Sequence, residues 1–207
     1  MDDKTMAGFL AELASPAPAP GGGAAAALQA ALGAALVSMV CNLTIGRPRY
    51  AEHEATMLSA RSEADKARAE ALALAAADAR AFAAVSDAYK LPKGTDEERA
   101  ARSRAIQTAL VTAAEVPLHT AAVAAAVVGL CARIIDGANV NVLSDVGVAA
   151  ASARAALDSA AINVRVNTAV MTDADARERA TAALADHLTS VATADSIVRA
   201  VGERIGS

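Results

Sequence analysis

The sequence predicts one all-α domain over residues 1–207, a bundle of long, antiparallel, alanine-rich helices. Of the 207 residues, 55% are apolar, and 60 are alanine. Aromatic residues make up only 2%, and the prolines and glycines cluster at a few points along the chain. Alanine and leucine favour helix, whereas a β-sandwich or barrel needs regularly spaced β-branched and aromatic residues. At this length a single domain can bury a substantial core.

The first half of the chain predicts a short helix, a loop and two long helices. Residues 4–14 are amphipathic with a helical period. Residues 15–23 alternate proline with small residues and end in three glycines, which favours an extended loop. Long helices are expected at about 24–44 and 51–89. Residues 24–45 carry no charge, but their alanines, glycines and polar interruptions favour a buried central helix over a membrane span.

The second half predicts three more helices. Thr95-Asp-Glu-Glu98 is a capping-box sequence, and Pro117 is expected to kink or restart the helix that it begins. Further helices are expected at about 140–171 and 173–205, the last one capped by Thr172-Asp173. No composition shift marks a domain boundary. Alanine side chains bury little area each, so we expect a homo-oligomer.

Charge and cysteine content exclude several classes of function. The net charge of −4 gives no basic face for a nucleic acid. Cys41 and Cys131 lie in apolar sequence without a CxxC motif, which predicts buried free thiols in a reducing compartment. The first residues lack the basic and apolar regions of a signal peptide, so a cytoplasmic location is expected.

Three consecutive glycines, Gly21, Gly22 and Gly23, precede the central helix. Glycines let a backbone approach a ligand closely, and the free N–H groups at a helix start favour an anion. The sequence is neither a Walker loop nor a dinucleotide fingerprint. A flexible hinge between two packed helices is the alternative.

Two carboxylates lie in otherwise apolar helical sequence. Asp78 follows a run of alanine and leucine, and Asp145 lies among valine, leucine and alanine. Burying a lone carboxylate is costly unless it is paired or hydrogen-bonded, so each is a candidate functional group. The alternatives are an exposed stripe for Asp78 and, for Asp145, the first turn of a helix capped by Ser144.

Amide and basic side chains form further candidate groups. Asn141 lies one turn before the second of these carboxylates, and Asn163 and Asn167 are also spaced to share a helix face. Asn42 lies in an apolar helix, where its amide must find partners. Arg47 follows the end of that helix, where it either suits the helix dipole or forms a basic mouth for a carboxylated substrate.

Metal and covalent chemistry have no sequence signal. His53, His119 and His187 are scattered without metal-ligand spacing. No GxSxG motif occurs, and neither cysteine has a histidine nearby. An enzyme of this composition would work through carboxylates, dipoles and positioning, and we expect neither a metal nor a covalent nucleophile.

Several blocks of sequence, taken in order, are more specific than any single motif. They are Phe9-Leu-Ala-Glu-Leu-Ala-Ser15, Pro18-Ala-Pro-Gly-Gly-Gly23, Gly33 to Gly46, Asp78 with Phe82, Ala88-Tyr-Lys-Leu-Pro-Lys93, Val116-Pro-Leu118, Asn139 to Gly147, and Asn163-Val-Arg-Val-Asn167. Together they resemble the cyclodeaminase/cyclohydrolase family of folate enzymes over nearly the whole chain. The family usually has lysine where this chain has Arg47, which keeps the charge.

The resemblance implies an all-helical homodimer that acts on one-carbon units of tetrahydrofolate without another cofactor. The favoured reaction is reversible hydrolysis of 5,10-methenyltetrahydrofolate to 10-formyltetrahydrofolate. The alternative is a cyclodeaminase that cyclises 5-formiminotetrahydrofolate and releases ammonia. The third interpretation is a non-catalytic helical interaction module. The polar residues in the apolar helices count against it, because such a module gains little from them. Neither a nucleic acid nor a membrane is an expected partner.

The reaction assigns roles to the candidate residues. Asp145 or Asp78 would stabilise the methenyl cation and accept a proton from water, helped by a pKa that apolar surroundings raise. Amides would orient water or the pterin, while the glycine loop and the arginine would hold glutamate carboxylates. The expected catalytic residues are Asp145 and Asp78, and the expected substrate-binding residues are Gly21, Gly22, Gly23, Asn42, Arg47, Asn141, Ser144, Asn163 and Asn167.

Overall fold

The computed structural model describes residues 5–206, which contain seven α-helices; the last six pack into one bundle, and Phe9 of the first contributes to its core. Two short 3₁₀ segments, Pro48–His53 and Val140–Val142, lead into the third and fifth helices. The α-helices are α1 (Met6–Leu13), α2 (Gly22–Thr44), α3 (Glu54–Lys90), α4 (Asp96–Ile134), α5 (Leu143–Thr168), α6 (Ala174–Leu188) and α7 (Ser190–Ile205).

The four long helices, α2 to α5, form the core of the bundle and confirm the predicted all-α fold. α2 packs against α3 and α5, and both of these pack against α4. Side-chain bonds show that α2 and α3 run antiparallel: Asp78 of α3 meets Ala24 at the start of α2, and Arg61 meets Asn42 near its end. α6 and α7 cover α4 and α5.

α2 is the central helix that its uncharged sequence predicts. Fourteen of its 23 residues are buried. A Cβ atom at Gly33 would lie 3.0 Å from the carbonyl oxygen of Ala149, so α2 and α5 meet almost backbone to backbone at this point. By length and composition alone, three helical segments of the described chain could cross a membrane; within α2, 67% of the apolar stretch is buried inside the protein.

α4 begins at the predicted capping box. The Oγ1 atom of Thr95 accepts the N–H of Glu98 at 3.2 Å, and the Oε2 atom of Glu98 accepts the N–H of Thr95 at 3.1 Å. The helix then runs as one 39-residue element through Pro117, without the restart that the sequence allowed.

The predicted single helix over 173–205 is wrong, because the chain breaks it into α6 and α7. Asp173 caps α6 as expected, accepting the N–H of Ala176 at 2.9 Å. At the other end, the hydroxyl of Thr189 donates to the carbonyl oxygen of Asp186 at 2.6 Å. A threonine side chain that bonds its own backbone competes with the helix, and α7 starts at the next residue.

The two cysteines are buried free thiols, as their apolar surroundings predict. Burial raises the pKa of Cys41 to about 11 and that of Cys131 to about 12. Because the thiolate is the reactive form, both side chains act as small apolar residues of the core.

Candidate active site

A cavity of about 480 Å³ opens where the start of α2, the second half of α3 and the end of α5 meet. Its size suits a small-molecule ligand. Among the described residues that line it, Asp78 carries the only formal charge. The lining residues are Pro18, Ala19, Gly21, Gly22, Gly23, Asp78, Ala81, Phe82, Val85, Tyr89, Leu110, Ala113, Asn163, Val166, Asn167 and Val170.

Asp78 is half-buried on α3 and faces the start of α2. Its Oδ2 atom accepts the main-chain N–H of Ala24 at 3.0 Å. Burial raises the pKa of this carboxyl above its usual value, and the bond from Ala24 opposes the rise only in part. A carboxyl group with a raised pKa, open to a cavity, is suited to taking up and returning a proton.

The glycine loop brings the backbone of α2 against this carboxylate. Gly21 is the N-cap of α2, and Gly23 lies in its first turn. A Cβ atom at Gly23 would overlap Oδ1 of Asp78. The close approach therefore requires glycine at this position, and the hinge interpretation does not account for it.

Asn163 and Asn167 lie one turn apart on α5 and both face the cavity. Asn163 donates from Nδ2 to the carbonyl oxygen of Ser159 at 2.8 Å. Asn167 donates from Nδ2 to the carbonyl oxygens of Asn163, at 3.0 Å, and of Ala113, at 3.1 Å. These bonds use both amide hydrogens of Asn167 and one of the two of Asn163, so Asn167 offers a ligand its side-chain oxygen, and Asn163 offers its oxygen and one N–H.

Two aromatic side chains, Phe82 and Tyr89, form part of the cavity wall on α3. They are 45% and 49% exposed, although the whole chain has only four aromatic residues. Arg102 of α4 fixes Tyr89: its guanidinium lies 5.5 Å from the ring centre and donates to the carbonyl oxygen of Tyr89 at 3.1 and 3.2 Å. Sequence reasoning did not assign either residue to the site, although both lie in blocks that carry the family resemblance.

The other predicted site residues lie towards the opposite end of the bundle. α5 places Asp145 about 27 Å from Asn163, since 18 residues of helix separate them. Asp145 lies in the first turn of α5, whose N-cap is Val142 and not Ser144. The position matches the alternative reading for this acid, because a carboxylate suits a helix start.

Asn42 lies about 30 Å along α2 from Gly22, and Arg47 follows the end of that helix. Asn42 accepts a hydrogen bond from Arg61 at 3.2 Å, and Arg47 is exposed. Asn141 is exposed beside Asn139 and donates its main-chain N–H to the side-chain oxygen of Asn139 at 3.1 Å. The structure thus divides the predicted set into a cavity group and a distant group.

At this distant end of the bundle, Asn139 is the centre of a buried network of hydrogen bonds. Its main-chain N–H donates to Oγ1 of Thr44 at 3.0 Å, and its Nδ2 donates to the carbonyl oxygen of Leu43 at 2.9 Å. Tyr50 donates its hydroxyl to Oδ1 of Asn139 at 3.4 Å. These bonds tie the end of α2 to the chain just before α5, which gives Asn139, Thr44 and Tyr50 a structural task.

Together, the cavity offers one carboxylate, two amide oxygens and an aromatic wall. Such a lining suits a flat, positively charged ligand that exchanges a proton with the protein. Within residues 5–206, no cluster of three or more histidine, cysteine, aspartate or glutamate side chains could hold a metal ion.

A family model described as formiminotransferase-cyclodeaminase matches residues 5–186. The chain belongs to the formiminotransferase-cyclodeaminase family. The family match contains every residue that lines the cavity, and it confirms the resemblance drawn from the sequence blocks.

Individual relatives carry two different activities in their names. Methenyltetrahydrofolate cyclohydrolase of Methylorubrum extorquens is 50% identical over 178 residues, which cover 86% of each chain. Formimidoyltransferase-cyclodeaminase of Mus musculus is 40% identical over 171 residues, 83% of this chain but only 32% of the mouse protein. The crystal structure of formiminotetrahydrofolate cyclodeaminase from Thermotoga maritima superposes with a TM-score of 0.88 at 26% identity, covering 100% of this chain and 99% of that one.

Proposed function

We propose that this member of the family is a methenyltetrahydrofolate cyclohydrolase that interconverts 5,10-methenyltetrahydrofolate and 10-formyltetrahydrofolate. The observation that carries the proposal is the half-buried carboxylate of Asp78 in the cavity between α2, α3 and α5. The cyclohydrolase of Methylorubrum extorquens, which aligns over 86% of both chains, supports this choice of reaction.

The electrostatics of the cavity suit the substrate. The methenyl carbon lies in an amidinium cation between N5 and N10, and Asp78 is the only charged residue among the described residues that line the cavity. A carboxylate that burial has partly stripped of water attracts a cation more strongly than an exposed one does. We therefore place the methenyl group beside Asp78.

Water adds to the methenyl carbon in the first step. Its oxygen forms the new C–O bond while Asp78 accepts one of its protons, and the cation becomes a neutral tetrahedral intermediate. The raised pKa of Asp78 makes it a stronger base than an ordinary aspartate, which favours this transfer.

The same carboxyl group serves the second step. The bond between the methenyl carbon and N5 breaks, and the protonated Asp78 gives its proton to N5. The hydroxyl of the intermediate becomes a carbonyl and releases its proton to solvent, which leaves the formyl group on N10. One proton is released overall, and the enzyme is restored.

Asn163 and Asn167 supply hydrogen-bond acceptors in this scheme. Both amide hydrogens of Asn167 and one of Asn163 bond to main-chain carbonyls, which orients the side-chain oxygens for the attacking water or the N–H groups of the pterin. The glycine loop brings main-chain N–H groups near the same point.

Phe82 and Tyr89 are assigned to the flat rings of the folate. Phe82 lies one turn and Tyr89 three turns beyond Asp78 on α3, and both line the cavity. Aromatic rings favour offset-stacked or edge-to-face packing with one another. Both side chains are exposed, so they are available to a flat ligand in the cavity.

The second candidate is the cyclodeaminase reaction, which the mouse and Thermotoga maritima relatives carry in their names. In that reaction N10 attacks the formimino carbon of the 5-formimino substrate. Asp78 would accept the proton of N10 and give it to the nitrogen of the protonated formimino group, which leaves as ammonia while the 5,10-methenyl cation forms. The same residues serve both reactions, so the substrate decides between them.

Two parallel assays test the proposal. Purified protein is mixed with 5,10-methenyltetrahydrofolate, and loss of its near-ultraviolet absorbance is compared with the spontaneous rate in a non-catalytic buffer. Ammonia release from 5-formiminotetrahydrofolate is measured in the second assay. Acceleration of the first reaction supports the cyclohydrolase; ammonia release alone supports the cyclodeaminase. Inactivity on both overturns the proposal.

Since the reaction uses only folate and water, we expect full activity after treatment with EDTA.

The proposed enzyme is a cytoplasmic homodimer. Three large apolar side chains on α2, Leu32, Met39 and Leu43, are exposed, as are Val148 and Ile162 on the adjacent α5. Leu32, Met39 and Leu43 recur at helical spacing and therefore share one face of α2, and exposed apolar side chains on one helix face are typical of a subunit interface. Light scattering should give twice the chain mass, and Leu32→Arg with Met39→Glu should give the mass of one chain.

A further inference from the structure

Pro117 is buried inside α4, one turn after Ala113, which lines the cavity. Proline has no N–H, so it cannot donate to the carbonyl oxygen four residues earlier, which belongs to Ala113. Its ring also pushes that carbonyl away from the helix axis. Ala113 is buried and lines the cavity, so its carbonyl needs a donor from elsewhere in the protein.

Asn167 of α5 supplies this donor. Its Nδ2 atom donates to the carbonyl oxygen of Ala113 at 3.1 Å and to that of Asn163 at 3.0 Å. The side-chain amide has two hydrogens, and both are used. The side-chain oxygen of Asn167 is therefore held as a pure acceptor beside the cavity.

We propose that Pro117 is a positioning residue: by freeing the carbonyl of Ala113, it fixes the amide of Asn167 so that its oxygen accepts a hydrogen bond from the substrate or the attacking water. The inference rests on the proposed function, which gives Asn167 its task. It adds Pro117 to the residues on which activity depends, although Pro117 does not line the cavity.

The cost of Pro117 to the helix supports this role. A proline in the interior of an α-helix destabilises it, and alanine, the best helix former, is the commonest residue in this protein. With alanine at position 117, its N–H would bond to the carbonyl of Ala113 in the ordinary helical way. That carbonyl would turn back towards the helix axis, and Asn167 would lose the bond that fixes its orientation.

The test compares Pro117→Ala with a matched control in the same helix. Gly129→Ala also replaces a poor helix former in α4, and its new Cβ atom would meet nothing within 4 Å. Both variants should raise the melting temperature. Only Pro117→Ala should lower kcat/KM for 5,10-methenyltetrahydrofolate, by about tenfold, a size expected when a hydrogen bond to a reacting group is displaced. Unchanged kcat/KM in Pro117→Ala would overturn the inference.

Asn167→Asp provides a second test, and the result for this single variant does not depend on how Pro117→Ala folds. Aspartate keeps the shape and the acceptor oxygens but cannot donate to Ala113. It should lose at least as much activity as Pro117→Ala, and the double variant should lose little more than Asn167→Asp alone. Activity within twofold of the wild type in Asn167→Asp, or fully additive losses in the double variant, would contradict the relay, by which we mean the proposed effect of Pro117 on the substrate through Ala113 and Asn167.

A spectroscopic measurement separates failure of the relay from failure of the proposed function. In the wild type, the side-chain amide protons of Asn167 should exchange slowly with solvent, and in Pro117→Ala they should exchange several times faster. This result supports the relay even if the protein proves inactive on 5,10-methenyltetrahydrofolate. Equal exchange rates in the two proteins would overturn the relay whatever the enzyme's substrate.

Discussion

Asp78 accepts a hydrogen bond from the main-chain N–H of Ala24 at 3.0 Å, so a carboxylate on α3 caps the first turn of α2. The two residues are 54 positions apart in the sequence. The bond fixes the carboxylate beside the glycine loop, and burial still raises its pKa. One side chain therefore joins two helices and carries the proposed proton transfers.

Replacing Asp78 by asparagine should abolish most of the activity while making the protein more stable at neutral pH. Loss of a general acid–base group costs about 10²- to 10⁴-fold in rate. The folded-state pKa lies above the usual value of 3.8, so the folded protein binds the proton more tightly than the unfolded chain. The resulting cost to folding appears as pH rises through 3.8 and is complete above the folded-state pKa.

Thermal melts of wild type and Asp78→Asn at several pH values check this sign. The variant should melt higher at pH 7, and the difference should shrink towards the acid end. A variant that melts lower at pH 7 would show that the carboxylate stabilises the fold and that burial is not its dominant influence.

Replacing Gly23 by alanine should impair catalysis much more than replacing Gly21. A Cβ atom at position 23 would overlap Oδ1 of Asp78, whereas one at position 21 would meet nothing within 4 Å. Asp78 must move to accommodate the methyl group, and we expect kcat to fall roughly 100-fold, as misplaced catalytic groups do. Steady-state kinetics on the two variants decide the matter; similar kcat values in both would refute the close contact.

Tyr89 should contribute to substrate binding through its ring and not through its hydroxyl. Tyr89→Leu should raise KM by roughly fivefold to tenfold, as loss of an aromatic contact does, while Tyr89→Phe should leave it near the wild-type value. Arg102→Gln should raise KM in the same direction because Arg102 holds the ring.

Arg99 provides the matched control for this prediction. It bonds to the carbonyl oxygens of Lys93 and Gly94 in the connection between α3 and α4, whereas the described hydrogen bonds and the cation–π contact of Tyr89 come from Arg102. Arg99→Gln should therefore leave KM unchanged. An equal rise of KM in both arginine variants would assign the effect to the connection between α3 and α4 and not to the tyrosine ring.

Asp145→Asn should leave kcat within twofold of the wild-type value. Asp145 lies in the first turn of α5, about 27 Å along that helix from Asn163, and it does not line the cavity. The same assay that detects the loss in Asp78→Asn measures this variant. A large fall in kcat would return Asp145 to the chemistry.

The helices were predictable because the signals that form them are local. The capping box at Thr95 and the uncharged sequence of α2 each act over a few residues, and both predictions are confirmed. The break at Thr189 escaped prediction because a hydroxyl that bonds its own backbone has the same sequence signature as one that points to solvent.

The site was only partly predictable because its parts meet through packing. Asp78 and Asp145 lie in similar apolar sequence, and only the contact of α3 with the glycine loop distinguishes them. Pro117 alone predicts a disturbed helix; its partner Asn167 lies on another helix, and no periodicity links the two. Exposure of Phe82 and Tyr89 likewise becomes visible only in the folded chain.

At Gly33, α2 and α5 approach each other so closely that a side chain would have little room. The two helices that touch there, α2 and α5, carry the glycine loop and the asparagines at their adjoining ends, about 16 Å along α2 from the contact. A methyl group at Gly33 would lie 3.0 Å from the carbonyl oxygen of Ala149 and 3.2 Å from Cγ1 of Val127, so these neighbours would have to move away to accept it. The distance between these two helices thus depends on the absence of a side chain at Gly33, a residue that does not line the cavity.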